Sequence, residues 1–90
     1  MGYKFDEFYI PENMLPGLLR WIEDGVMPGD FLRAVLENDF MEAVARADHI
    51  NAVNLKAYMG YLHWEAPPGC YGSPAAVVAW RDRKKKERGL

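Results

Sequence analysis

Apolar positions recur every three to four residues over most of the chain, and that spacing predicts helices. In residues 11–24, PENMLPGLLRWIED, Met14, Leu18 and Ile22 form an i, i+4 stripe that Leu15, Leu19 and Trp21 widen. Pro11 suits the first helical position, and Gly25 suits the residue past the end. Pro16-Gly17 conflicts with a continuous helix, because an internal proline removes a hydrogen bond and clashes with the preceding turn. Either the first turn is irregular or the helix proper begins near Pro16. After the turn Val26-Met27-Pro28-Gly29, Asp30 is placed to cap a short helix over 31–37 that buries Phe31, Leu32, Val35 and Leu36. Asn38-Asp39 reads as a break and a new cap. Residues 40–47, FMEAVARA, then form a second short helix with Phe40, Val44 and Ala47 on one side.

Residues 49–65, capped by Asp48, are expected to form the longest helix. Ile50, Val53, Ala57, Tyr61 and Trp64 make one stripe; Leu55, Tyr58, Met59 and Leu62 make a second, well round the cylinder. A helix apolar on two sides has neighbours on both, so this one is read as the hub of the fold or partly as a subunit interface. Residues 66–73, APPGCYGS, hold two prolines and two glycines and form a shaped loop. Ser73-Pro74 is a strong start signal, an N-cap followed by proline at the first helical position. The last helix runs to about Lys86, anchored by Val77 and Trp80, and its end projects into solvent. Residues 3–10, YKFDEFYI, alternate apolar and polar positions; without a partner strand they read as an extended arm laid on the core.

The pattern therefore predicts an all-α fold in a single domain over 1–90. It is a compact bundle of four to five helices with an extended N-terminal arm (1–10) and a basic C-terminal helical tail (81–90). Ninety residues suffice for one domain and one modest core. Charge changes this picture more than length does. The net charge of -2 divides into −6 over residues 1–80, with 5 basic and 11 acidic side chains, and +4 over residues 81–90, with 6 basic and 2 acidic. The single cysteine, Cys70, excludes an intramolecular disulfide and fits a reducing cytosol. The N-terminus does not read as a signal peptide, and no window of 18 apolar residues predicts a membrane span.

The candidate chemistry is sparse. His49 and His63 stand 14 residues apart, roughly 21 Å along one helix, so they cannot share a metal there, and Cys70 completes no zinc spacing. They read as ordinary polar histidines, and no cofactor is implied. Glu37, Asp39, Glu42 and Asp48 cluster around the short helices. Capping and solvation account for them, but an acidic face can also occupy a basic groove on a partner. Cys70 with His63 as base and Glu65 as orienter is the one nucleophilic arrangement available, and no catalytic signature surrounds it. Trp64, Tyr71 and Trp80 flank the 66–73 loop. Tryptophan and tyrosine are common interface anchors and also common core residues. Arg81, Arg83, Lys84, Lys85, Lys86 and Arg88 favour a helix C-terminus, where cations oppose the negative end of the dipole; they can also contact phosphates.

The run IPENM…LLRWIEDGVMPGDFLRAVLENDFMEAVARAD, followed by EAPPGCYGSPAAVVAW, resembles a family of small helical proteins encoded by bacteriophages and prophages. The resemblance covers residues 9–80. Its most specific pieces are PGDFLRAVLEND and APPGCYGSP, and Pro16 departs from the family's usual pattern. It brings no catalytic residue with it. It implies a phage accessory product in a bacterial host cytoplasm that blocks a host or defence protein, as anti-CRISPR proteins do, or assists replication or gene expression.

The resulting expectation is a non-enzymatic protein that binds a host or antiviral-defence protein. Its expected contacts are Tyr71, Cys70 and Trp64 around the loop and Glu37, Asp39 and Glu42 on the acidic face. The alternative is a nucleic-acid accessory protein acting through the basic tail. A homodimer is compatible with both, because twelve aromatic residues and a doubly apolar helix exceed what one small bundle needs to hide.

Overall fold

The structure, a computed structural model, describes residues 3–89. Residues 1–2 of the expected arm and Leu90 of the tail lie outside the described residues. Apart from the first segment, every regular element of the described part is a helix. Lys4–Phe5 (β1) and Phe8–Tyr9 (β2) pair antiparallel in the register Lys4↔Tyr9 and Phe5↔Phe8. The expected extended arm is thus a hairpin, and the fold is mainly helical rather than strictly all-α. The missing partner strand lies two residues away, across a turn in which Asp6 takes φ 54, a region that short acidic side chains tolerate. The Ile10 amide adds one further rung by donating to the Tyr3 carbonyl at 2.8 Å.

Six helices follow. Leu15–Asp24 (α1) has Pro16 in its first turn, where a missing N–H costs no hydrogen bond, so the proline starts the helix instead of breaking it. Gly25 ends α1 at φ 69, and its amide donates to the Trp21 carbonyl. Asp30–Leu36 (α2) includes the aspartate expected to cap it; Gly29 is the N-cap and Asp30 sits in the first turn, at the positive end of the dipole. Asn38 reverses the chain at φ 61, and Phe40–Arg46 (α3) begins with the Asp39 side chain accepting from the Glu42 amide at 3.1 Å. The expected long helix is two helices, His49–Val53 (α4) and Leu55–Trp64 (α5). Asp48 caps α4 through the Asn51 amide at 2.8 Å. The longest helix is Pro74–Glu87 (α6), capped by Ser73 Oγ on the Ala76 amide at 3.1 Å.

Asn54 explains the break between α4 and α5. It is almost fully buried, its Nδ2 donates to the Ile50 carbonyl at 2.9 Å, and its Oδ1 accepts from the Tyr9 amide at 2.9 Å. One side chain thus closes α4 and fixes the hairpin beside α5. The hairpin then packs on α5 at Gly60, whose missing Cβ leaves room for the Phe5 ring; a Cβ there would lie 2.6 Å from Phe5 Cδ1. Tyr3 meets Tyr61 edge-on at 5.1 Å, and Lys56 Nζ lies 6.0 and 5.8 Å from the Phe5 and Phe8 ring centres.

On its other side α5 meets α2, where Phe31 and Tyr58 make a second edge-on pair at 5.2 Å. The hub reading therefore holds for α5 alone. Ile50 and Val53 of α4 are half exposed, contrary to the expected packing of that stripe; on α3, Val44 is half exposed and Phe40 is 68% exposed. A single cluster built on Ile10, Leu18, Trp21, Leu36, Tyr58 and Trp80 forms the core. Tyr58 Oη donates to Asn51 Oδ1 at 2.6 Å, and among the described residues every buried side-chain N or O has a partner.

Trp80→Ala is expected to cost about 3–5 kcal/mol, because it removes a buried indole from the α1–α6 contact. Gly60→Ala is expected to cost about 1–3 kcal/mol by pushing Phe5 off α5. Thermal and urea unfolding of both variants checks this: a loss below about 1 kcal/mol for Trp80→Ala contradicts the packing described.

Candidate interaction surface

The 66–73 loop carries Cys70 and Tyr71, and three hydrogen bonds place it. Trp21 Nε1 donates to the Cys70 carbonyl at 2.9 Å, Trp80 Nε1 donates to the Trp21 carbonyl at 3.2 Å, and the Gly72 amide donates to the Leu36 carbonyl at 2.8 Å. The last bond ties the loop to the end of α2. Tyr71 and Glu37, 34 positions apart in sequence, are the residues next to that bond on the two sides. Tyr71 is half-buried against the core and leaves part of its side chain in solvent.

The acidic candidates lie on the α2–α3 pair and are interleaved with two arginines. Arg33 Nε meets Glu37 at 3.0 Å, Arg46 Nε meets Glu42 at 2.7 Å, and Arg46 also reaches Asp30 at 3.6 Å. These side chains line a shallow depression of about 240 Å³. The Glu42 hydrogen bond is the largest cause holding the Arg46 guanidinium above its usual pKa, followed by the charges of Glu42 and Asp30. The three carboxylates outnumber the two guanidiniums, so the ledge keeps an acidic excess. Exposed pairs of this kind add little to stability, and their charge stays available to a partner. Asp39 caps α3 through Oδ1 and also borders the neighbouring groove between α3 and α5.

Cys70 is a correction to the expected contact set. It is 0% exposed, and burial pushes its thiol up to about 11, so the sulfur meets no partner and forms little thiolate near neutrality. Its carbonyl, not its sulfur, is the working group. His63 stacks edge-on against Trp64 at 4.5 Å. Trp64, at the last turn of α5, is 68% exposed and stays in the surface set. Among the described residues no group of three His, Cys, Asp or Glu side chains could hold a metal ion, and no helix is long and apolar enough to cross a membrane.

The basic end of α6 presents Arg81, Lys84, Lys85 and Arg88 at i, i+3, i+4 and i+7, hence along one side. Glu87 is held below the usual carboxylate range, chiefly by hydrogen bonds from Lys84 and Arg83. Arg83 and Lys84 also lie over the Trp80 ring at 4.7 and 5.0 Å, which roots the charged end on the core.

One feature was not legible in the sequence. An apolar groove of about 110 Å³ opens between α3 and α5, bordered by Phe40 and Ala43 on one side and by Leu55 and Met59 on the other. Its only signal was the density of large apolar residues in FMEAVARA, more than one face of a seven-residue helix can bury. Comparison with protein families finds no matching family model, and comparisons with curated proteins and with solved structures find no significant match.

The buried thiol gives a direct check. Cys70 should resist alkylation at neutral pH in the native protein and react fully once denatured. Because its folded pKa is raised above its ordinary value of 9.0, its contribution to stability is full below pH 9 and is lost as the pH rises through about 11. Thiol titration and unfolding midpoints between pH 7 and 11 measure both; fast native alkylation contradicts the placement.

Proposed function

We propose that this chain is a non-enzymatic accessory protein of a bacteriophage that binds and modulates a host or antiviral-defence protein in the bacterial cytoplasm, in the manner of anti-CRISPR proteins. The observation that carries this reading is the Gly72–Leu36 hydrogen bond. It joins the aromatic loop to the end of α2 beside Tyr71 and Glu37, and Glu37 and Glu42 line one depression of the α2–α3 ledge; we read these residues as one surface with an aromatic side chain and an excess of negative charge. Such a surface suits a basic groove on a protein that handles nucleic acid, since carboxylates can stand where phosphates would. The exposed Trp64 supplies a second anchor of the residue type most often dominant in interfaces. The phage setting rests on the sequence resemblance.

The second reading is a nucleic-acid accessory protein. The cationic side of α6 favours it, because Arg81, Lys84, Lys85 and Arg88 are aligned and Lys84 lies over Trp80. The acidic body weighs against it by repelling a polyanion.

One experiment separates them. Tagged protein is exposed to nuclease-treated bacterial lysate, beside the Tyr71→Ala/Glu42→Lys and Lys85→Ala/Lys86→Ala/Arg88→Ala variants. The leading reading expects one stoichiometric protein retained by the parent chain and by the α6 variant. In purified form it should bind the Tyr71→Ala/Glu42→Lys variant about 10-fold or more weakly. If no protein is retained, and duplex or single-stranded DNA binds with a steep salt dependence that the α6 variant flattens, the second reading replaces it.

A further inference from the structure

The α3–α5 groove is built as a complementary pair of walls. Ala34 and Val35 of α2 form its floor. Phe40 stands on the α3 wall and is 68% exposed; Met41 beside it is 77% exposed, and Val44, one turn on, is half exposed. Leu55 and Met59 stand on the α5 wall, with Met59 44% exposed. Each wall also carries one charge, Asp39 on the α3 side and Lys56 on the α5 side. The volume, about 110 Å³, is of the order that accepts a single aromatic ring, since an engineered apolar cavity of about 150 Å³ binds benzene.

We infer that this groove is the interface of a two-fold symmetric homodimer. A two-fold axis across the groove exchanges its walls. The exposed Phe40 ring of one protomer then meets Leu55 and Met59 of its partner, and the reverse contact forms at the same time. The same operation sets Asp39 of each protomer opposite Lys56 of the other, giving two ion pairs of correct sign from one acid and one base per chain. No other occupant is specified so fully by the chain's own chemistry: it supplies the ring, the apolar wall and both charges. Closed two-fold pairing is also the commonest form of self-association and needs one self-complementary patch. An interface of standard size takes about 800 Å² from each protomer, about one seventh of the 5635 Å² that the chain exposes. Met41 and Val44 extend the apolar centre beyond the groove itself. Dimerisation through α3 and α5 is independent of what the Tyr71–Glu37 surface binds.

Light scattering and sedimentation equilibrium on the full chain, from about 1 µM to about 1 mM, test the inference. Phe40→Asp and Lys56→Glu are run alongside. Both residues are exposed in the single chain, although the Lys56 ammonium also lies over the Phe5 and Phe8 rings, so each variant is compared only where circular dichroism and melting are unchanged. The parent is expected to pass from one-chain to two-chain mass and stop there. Phe40→Asp should weaken the dimer by about 100-fold and Lys56→Glu by about 10-fold. A one-chain mass for the parent across the range overturns the inference. So does growth beyond two chains, which marks head-to-tail association, or a dimer that neither substitution weakens, which places the contact elsewhere.

Discussion

Trp21 connects three parts of the chain that sequence separates. Its side chain is fully buried, its indole N–H holds the Cys70 carbonyl, and its own carbonyl receives both the Gly25 amide that ends α1 and the indole N–H of Trp80. The loop, the C-terminus of α1 and the middle of α6 are therefore joined through one residue. Buried donors and acceptors left without partners are costly, so a loop rich in proline and glycine is held where its Cys70 carbonyl satisfies the buried Trp21 indole. Once seated, the loop offers the Gly72 amide to the Leu36 carbonyl at the end of α2, with Tyr71 and Glu37 next to that bond.

A second constraint acts at the other end of the core. Asn54 spends both ends of its side-chain amide on backbone, closing α4 and holding Tyr9. Gly60 then accepts the Phe5 ring where any other residue would exclude it. The hairpin covers one flank of α5, with the Lys56 ammonium over its Phe5 and Phe8 rings, and α2 covers another, while the flank bearing Met59 remains open. The two surfaces assigned to recognition thus arise from the same economy: a core too small to hide all its apolar residues leaves α3 and part of α5 facing water.

The helices, their caps at Asp39, Asp48 and Ser73, and the buried roles of Trp21 and Trp80 were legible because they rest on local spacing and short-range hydrogen bonds. Pro16 was legible as a conflict, and its first-turn position resolves that conflict locally. The hairpin was missed because Asp6-Glu7 lacks the usual glycine or asparagine turn signal. The 49–65 segment was read as one helix because Asn54 looks tolerable in a helix until its partner Tyr9, 45 residues earlier, is in view. Spacing alone placed Phe40, Val44 and Ala47 on one side of a helix without saying which side is buried. Only the packing of α3 against α2 shows that Ala43 is the residue buried. Of the contact set, Cys70 was lost to burial, and the closeness of Tyr71 to Glu37 depends on a long-range bond that no local pattern encodes.

The Tyr71–Glu37 surface depends on Trp21 holding the 66–73 loop in place through the Cys70 carbonyl. Amide hydrogen exchange of Gly72 in Trp21→Phe, compared with the parent chain, tests it most directly, since phenylalanine keeps an apolar ring and removes the N–H that holds Cys70. The account expects Gly72 to lose protection by about tenfold more than the amides inside α2, one factor of ten for each ~1.4 kcal/mol of local opening. Gly72 protection that stays in step with α2 would contradict it.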